Sequence, residues 1–68
     1  MGCNLTVREK QILTLIAKGL SNRDISDHLF ISESTVENHI HNIFRKLGVS
    51  KRIKAAICAN DMNLVNEK

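Results

Sequence analysis

Aromatic residues are nearly missing from this 68-residue chain: Phe30 and Phe44 stand alone, with no Tyr or Trp. A core must therefore be built from Leu, Ile, Val and Ala, which suits packed helices. Proline is absent, and two of the three glycines, Gly19 and Gly48, fall where helices should end. No strand-like alternation runs long enough to compete with helical periodicity, so the chain reads as all-α. No apolar run approaches the ~20 residues of a membrane span. Cys3 and Cys58 are isolated, with no CxxC and no Cys/His cluster at metal spacing. Two lone cysteines without a signal peptide fit reduced thiols in a cytoplasm. A nucleophile–base pair and a phosphate-cradling glycine loop are also missing. His39 and His41 would sit about 200° apart on a helix, so they cannot share a metal. Neither an enzyme, a cofactor nor a metal site is expected.

The last absence is of negative charge. Between Asn38 and Asn60 there is no Asp or Glu, while Arg45, Lys46, Lys51, Arg52 and Lys54 are all basic. The acids Glu9, Asp24, Asp27, Glu33 and Glu37 all precede that stretch. The formal net charge is only +3, so its distribution says more than its size. A basic C-terminal half points to a polyanionic partner, against the plainer alternative of a solubility surface.

What is present centres on the stretch from Ser32 to Leu47. Val36, Ile40, Ile43, Phe44 and Leu47 recur at offsets 0, +4, +7, +8 and +11, one stripe on an α-helix. The opposite face carries Ser34, Asn38, His41, Asn42 and Arg45. Every one of those side chains donates or accepts hydrogen bonds, and no acid interrupts them. Solvated helix faces usually carry Glu/Lys pairs four apart. Amides, imidazole, hydroxyl and guanidinium are instead the groups that read base edges in a DNA major groove. A short helix over residues 21–29 and a tight apolar connection at Phe30 and Ile31 precede this stretch. Together they make a helix-turn-helix unit.

The remaining elements follow in order. Thr6 to Glu9 forms a capping box opening the first helix, whose apolar face is Ile12, Leu13, Leu15, Ile16 and Ala17. Gly19 supplies its left-handed cap, with Leu20 folding back. Ser21 and Asp24 form a second capping box, Ile25 and Leu29 face inward, and Ser26, Asp27 and His28 face out. Ser32 is the N-cap of the third helix, with Ser34 and Glu37 as a competing cap, and Gly48 ends it. Ser50 caps a fourth helix running to about Met62, with Ile53, Ala56, Ile57 and Asn60 closing the core and Asn63 and Leu64 ending it. Residues 1–4 are expected as a flexible start, 5–64 as one domain and 65–68 as a frayed tail.

The spaced runs Leu5-Thr6-x-Arg8-Glu9, Ala17-x-Gly19-x-Ser21-Asn22-x-x-Ile25, Ile31-Ser32-x-x-Thr35-Val36-x-x-His39, Lys46-Leu47-x-Val49 and Arg52-x-x-Ala55 resemble the LuxR/FixJ-type helix-turn-helix domain. The resemblance covers residues 5–59 and implies four helices with the third in the major groove. It implies the output domain of a bacterial transcription regulator, commonly a two-component response regulator or a quorum-sensing receptor. The family's base-reading positions fall on Glu37, Asn38 and His41. Glu37 departs from the family, which commonly has Lys or Arg there. A carboxylate cannot hold a phosphate, though it can accept from a cytosine amino group.

On the flank of the third helix, Thr35, His39, Asn42 and Lys46 are expected to face a phosphate strand, with Arg45 beside them. The plainer readings are local capping for Thr35 and solvated surface groups for His39 and Lys46. On the fourth helix, Ala55, Cys58, Ala59 and Met62 form a second apolar patch at offsets 0, +3, +4 and +7. The resemblance implies dimerisation through this last helix, and these small residues are the expected contact, against the reading that alanine merely favours helix. The function expected is sequence-specific binding of double-stranded DNA as a homodimer, in the cytoplasm, with RNA polymerase as a further partner of such a regulator. A promoter-reading region of a sigma factor, and a protein-interaction module that keeps this fold without binding DNA, are the alternatives.

Overall fold

The computed structural model describes residues 5–61. They form four helices: α1 Val7–Ala17, α2 Asn22–Leu29, α3 Glu33–Leu47 and α4 Arg52–Asp61. No strand occurs among the described residues. Met62, Asn63 and Leu64 lie outside the described residues, so the expected end of the fourth helix and the Met62 contact are not described.

Local chemistry sets most of the helix boundaries. At α1, Thr6 Oγ1 accepts from the Glu9 amide at 3.1 Å, and Glu9 Oε1 accepts from the Thr6 amide at 2.9 Å. The box at α2 is looser: the Asp24 amide donates to Ser21 Oγ at 3.1 Å and the Ser21 amide to Asp24 Oδ2 at 3.3 Å. Ser32 alone caps α3, its hydroxyl oxygen accepting from the Thr35 amide at 3.1 Å. Ser34 and Glu37 both lie inside the helix, so the competing boundary is not used. Gly19 at φ +93° and Gly48 at φ +71° end α1 and α3 in the left-handed region. The α4 boundary differs from expectation. Its first helical residue is Arg52, and the Lys51 carbonyl accepts from the Lys54 and Ala55 amides at 3.1 and 3.2 Å. The helix thus starts one residue later than a Ser50 cap would place it.

α1 packs chiefly on α4 and on α3, while α2 packs on α3. Ile12, Leu13, Ile25, Val36 and Ile43 are fully buried between them. Each such aliphatic side chain contributes on the order of 1.5–3 kcal/mol by leaving water. Ser26, expected to face outward, is also buried; its hydroxyl donates to the Arg23 carbonyl at 2.7 Å, which satisfies it locally.

The fourth helix is rotated from the expected orientation. Ala55 and Ala59 are fully buried, whereas Ile53 and Ile57 are 68% and 51% exposed. Ala55 and Ala59 therefore belong to the core of the single chain and are not a free dimer contact, and Cys58 is only half-buried beside them. The physical reason is the α1–α4 contact. α1 already presents Ile12, Leu13, Leu15 and Ile16, and small residues on α4 let the two helices approach closely. Isoleucines at those positions would be overpacked. Of the expected core face, Ala56 is partly buried against the cluster, while Ile53, Ile57 and Asn60 are exposed.

Candidate nucleic-acid interface

α3 is amphipathic in the sense its sequence implies. Val36, Ile40 and Ile43 are buried, while Ser34, Asn38, His41, Asn42 and Arg45 are all exposed. Its 15 residues make a rod about 22 Å long, able to lie in a groove ~12 Å wide. Glu37 is exposed on one side of the polar face. Thr35 and His39 are half-buried on the other side, at the margin where the helix meets the body of the domain. Asn42, Arg45 and Lys46 line a shallow groove along the C-terminal half of α3.

The turn before α3 holds it at a fixed angle to α2. Phe30 caps α2 at φ 60°, ψ 44°, a left-handed conformation that costs a non-glycine residue about 1–2 kcal/mol. The Ile31 amide then donates to the Ser26 carbonyl at 3.0 Å, closing the turn. Phe30 is 93% exposed, so the position is set by backbone geometry and not by burial of its ring. At the start of α3, Ser32 Oγ donates to Thr35 Oγ1 at 3.0 Å. Thr35 is thus engaged in the local cap, its hydroxyl oxygen accepting from Ser32 and its amide donating back to the Ser32 hydroxyl oxygen.

Two cations expected to belong to a basic surface have structural partners. Lys46 Nζ donates to Glu9 Oε1 at 2.8 Å, joining the end of α3 to the start of α1. Arg52 donates from Nη1 to Asn22 Oδ1 at 2.6 Å and from Nη2 to the Leu20 carbonyl at 2.8 Å. This pins the start of α4 to the turn between α1 and α2. Arg45, Lys51 and Lys54 are exposed, so the basic half is less uniformly available than its composition implies. Glu9 is 4% exposed. The hydrogen bond from Lys46 holds its carboxyl below the ordinary 4.5, assisted by the Thr6 amide and hydroxyl and by the Lys46 charge, and opposed by burial.

The sequence marks Glu9 as a cap, Lys46 as a phosphate ligand and Arg52 as one member of a basic half, and shows neither tertiary contact. Each lies in a quoted motif run, but the partners are more than 25 residues apart and no helical spacing relates them. Among the described residues no group of three or more His, Cys, Asp or Glu side chains comes together as a metal site. No helix among them is long and apolar enough to cross a membrane.

With this geometry in hand, comparison with known proteins is specific. Residues 3–59 match the model of the family described as bacterial regulatory proteins, luxR family. The chain is 51% identical over 63 residues to the transcriptional regulatory protein LiaR of Bacillus subtilis, covering 93% of this chain and 30% of that protein. Among solved structures it superposes on the response regulator ChrA of a heme-sensing two-component system with a TM-score of 0.83 and 44% identity, over 90% of this chain and 30% of that one. The transcription factor GerE gives a TM-score of 0.78 and 45% identity, covering 88% of this chain and 90% of GerE. The chain thus spans about 30% of the length of a full regulator such as LiaR.

Proposed function

Because the chain belongs to the luxR family of bacterial regulatory proteins, whose members similar to it are transcription regulators and not enzymes, we propose that it binds double-stranded DNA sequence-specifically. It does so as the output domain of a two-component response regulator acting in the cytoplasm. The observation that carries this reading is the exposed polar face of α3. Ser34, Asn38, His41, Asn42 and Arg45 all reach solvent on a helix held rigidly by its opposite face. α3 enters the major groove with Asn38 at the centre of the face, His41 beside it and Glu37 at the edge. An amide pairs in bidentate fashion with adenine, and a carboxylate accepts from cytosine. Thr35, His39, Asn42 and Arg45 approach the phosphate strand along the flank, and Lys46 lies at the C-terminal end of that flank already paired with Glu9.

Dimerisation through α4 remains part of the reading, on a different face from the one expected. Ile53 and Ile57, one turn apart, are the large apolar side chains that α4 exposes, and an isologous contact between two such ridges would cover them. A ridge this short buries less than the ~1,000 Å² of a stable interface, so the domain dimerises on DNA, at inverted half-sites about one helical turn apart. RNA polymerase is a further partner of the full regulator.

Selection of bound sites from random duplex DNA tests the reading. It should return an inverted repeat, and Asn38→Ala should lose the preference at one base position per half-site. Binding that never enriches a sequence would overturn it and favour a module that keeps the fold for protein contacts.

A further inference from the structure

Lys46 stands at the groove with Asn42 and Arg45 on the face assigned to DNA, yet its ammonium lies 2.8 Å from a carboxylate belonging to another helix. Glu9 is 4% exposed, so water does little to screen that negative charge. The Lys46 side chain is 36% exposed, so it borders solvent while carrying its counterion with it. The Glu9 carboxylate is in turn fixed by the Thr6 amide at 2.9 Å, which keeps it from swinging away when an anion approaches.

We propose that Glu9, a residue of α1 outside the DNA face, limits the domain's affinity for the DNA backbone by neutralising Lys46 in place. The inference rests on the DNA-binding reading and deepens it. A phosphate approaching the C-terminal end of α3 meets an ion pair whose charges nearly cancel, and not a free ammonium. Counterion release follows the number of phosphates neutralised, with a slope of about −0.9 in log K against log salt for each. Lys46 therefore adds little to that slope while Glu9 is ionised. Glu9 acts through Lys46 and is a positioning residue, not a DNA contact.

Glu9→Gln separates this role from capping. Glutamine also serves at the third position of a capping box, and its amide oxygen can still accept from the Thr6 amide and from Lys46. Only the charge is lost. Duplex binding by the folded chain, measured between about 50 and 200 mM salt, should show a slope steeper than the parent's by about 0.9. The gain in affinity over the parent should then shrink about 3–4-fold across that range, on specific and random duplex alike. The double variant Glu9→Gln/Lys46→Met removes both charges together and should restore the parent's slope.

A Glu9→Gln slope equal to the parent's would overturn the proposal. So would a double variant flatter than the parent by about 0.9, since Lys46 would then already deliver a full charge. Because the double variant leaves no uncompensated charge, its flatter slope would overturn the proposal even if Glu9→Gln fails to fold. A parent that bound no duplex would overturn the DNA-binding reading and this inference with it. A parent that binds beside an unchanged Glu9→Gln overturns the inference alone.

Discussion

α3 and α4 both pack against α1, yet their sequences predict their orientations very differently. On α3 the large aliphatic residues and the polar ones lie on opposite faces, and the buried set Val36, Ile40 and Ile43 is the one periodicity selects. On α4 two apolar faces compete, one with isoleucines and one with alanines. Hydrophobicity favours burying Ile53 and Ile57, but the structure buries Ala55 and Ala59. The difference teaches that side-chain transfer energy decides orientation only where the neighbouring helix leaves room. Against α1, whose face is already filled with Ile and Leu, volume decides.

The largest effect should come from exchanging the roles of the two faces of α4. Ala59→Arg places an unpaired charge in a fully buried site, at a cost of several kcal/mol. A domain of this size holds on the order of 5 kcal/mol or less. Its cooperative thermal transition, followed by circular dichroism, should vanish. Ile57→Arg, on the exposed face, should change stability by only about 0.5 kcal/mol and leave binding to one half-site intact. It should abolish cooperativity on a two-half-site duplex. Equal thermal transitions for the two variants would reverse the assignment of faces.

On α3 the corresponding test is functional. Asn38→Ala should cost on the order of 1–3 kcal/mol on the selected site and little on random duplex, as measured by competition titration. His41→Ala should act in the same direction but more weakly, since one imidazole makes a single contact. Loss of equal size on both DNAs would remove Asn38 from base reading.

A smaller effect concerns the joint between the reading helix and the body. The Glu9 carboxyl titrates below its ordinary 4.5 in the folded chain, chiefly through the hydrogen bond from Lys46. A depressed carboxyl stabilises the fold fully above the unfolded value and loses that contribution as pH falls through the folded one. The urea midpoint should therefore decline on acidification below about pH 4.5, and Glu9→Gln should show a shallower decline. Identical acid profiles would exclude Glu9 as the group responsible.

The smallest effect is expected at the turn. Phe30 sits at φ 60° and 93% exposed, so Phe30→Asn exchanges a strained residue for one that tolerates the left-handed region. The denaturation midpoint should rise by the equivalent of a few tenths to about 1 kcal/mol. A fall would mean that the ring makes a stabilising contact.

Several features of the fold and the site are legible in the sequence because they depend on groups close together along the chain. The capping boxes at Thr6 and Ser21, the Ser32 cap, the glycine stops and the amphipathic α3 each involve residues within a few positions of one another. A motif resemblance spanning residues 5–59 adds the family, since the spacing of several runs carries more than any one of them. The joints between elements are not legible in this way. The Lys46–Glu9 pair closes 37 residues and the Arg52–Asn22 bond 30, and in one dimension each of these cations looks like any surface cation near a polyanion.

The sequence by itself determined four helices, where three of them begin, and which face of α3 is polar, because helix periodicity and capping act over one or two turns. Only the tertiary structure decided which face of α4 turns inward, and that Lys46 and Arg52 have hydrogen-bond partners within the chain. Both depend on volume and charge supplied by α1 and the α1–α2 turn, elements far away in sequence that become neighbours only when the chain has folded.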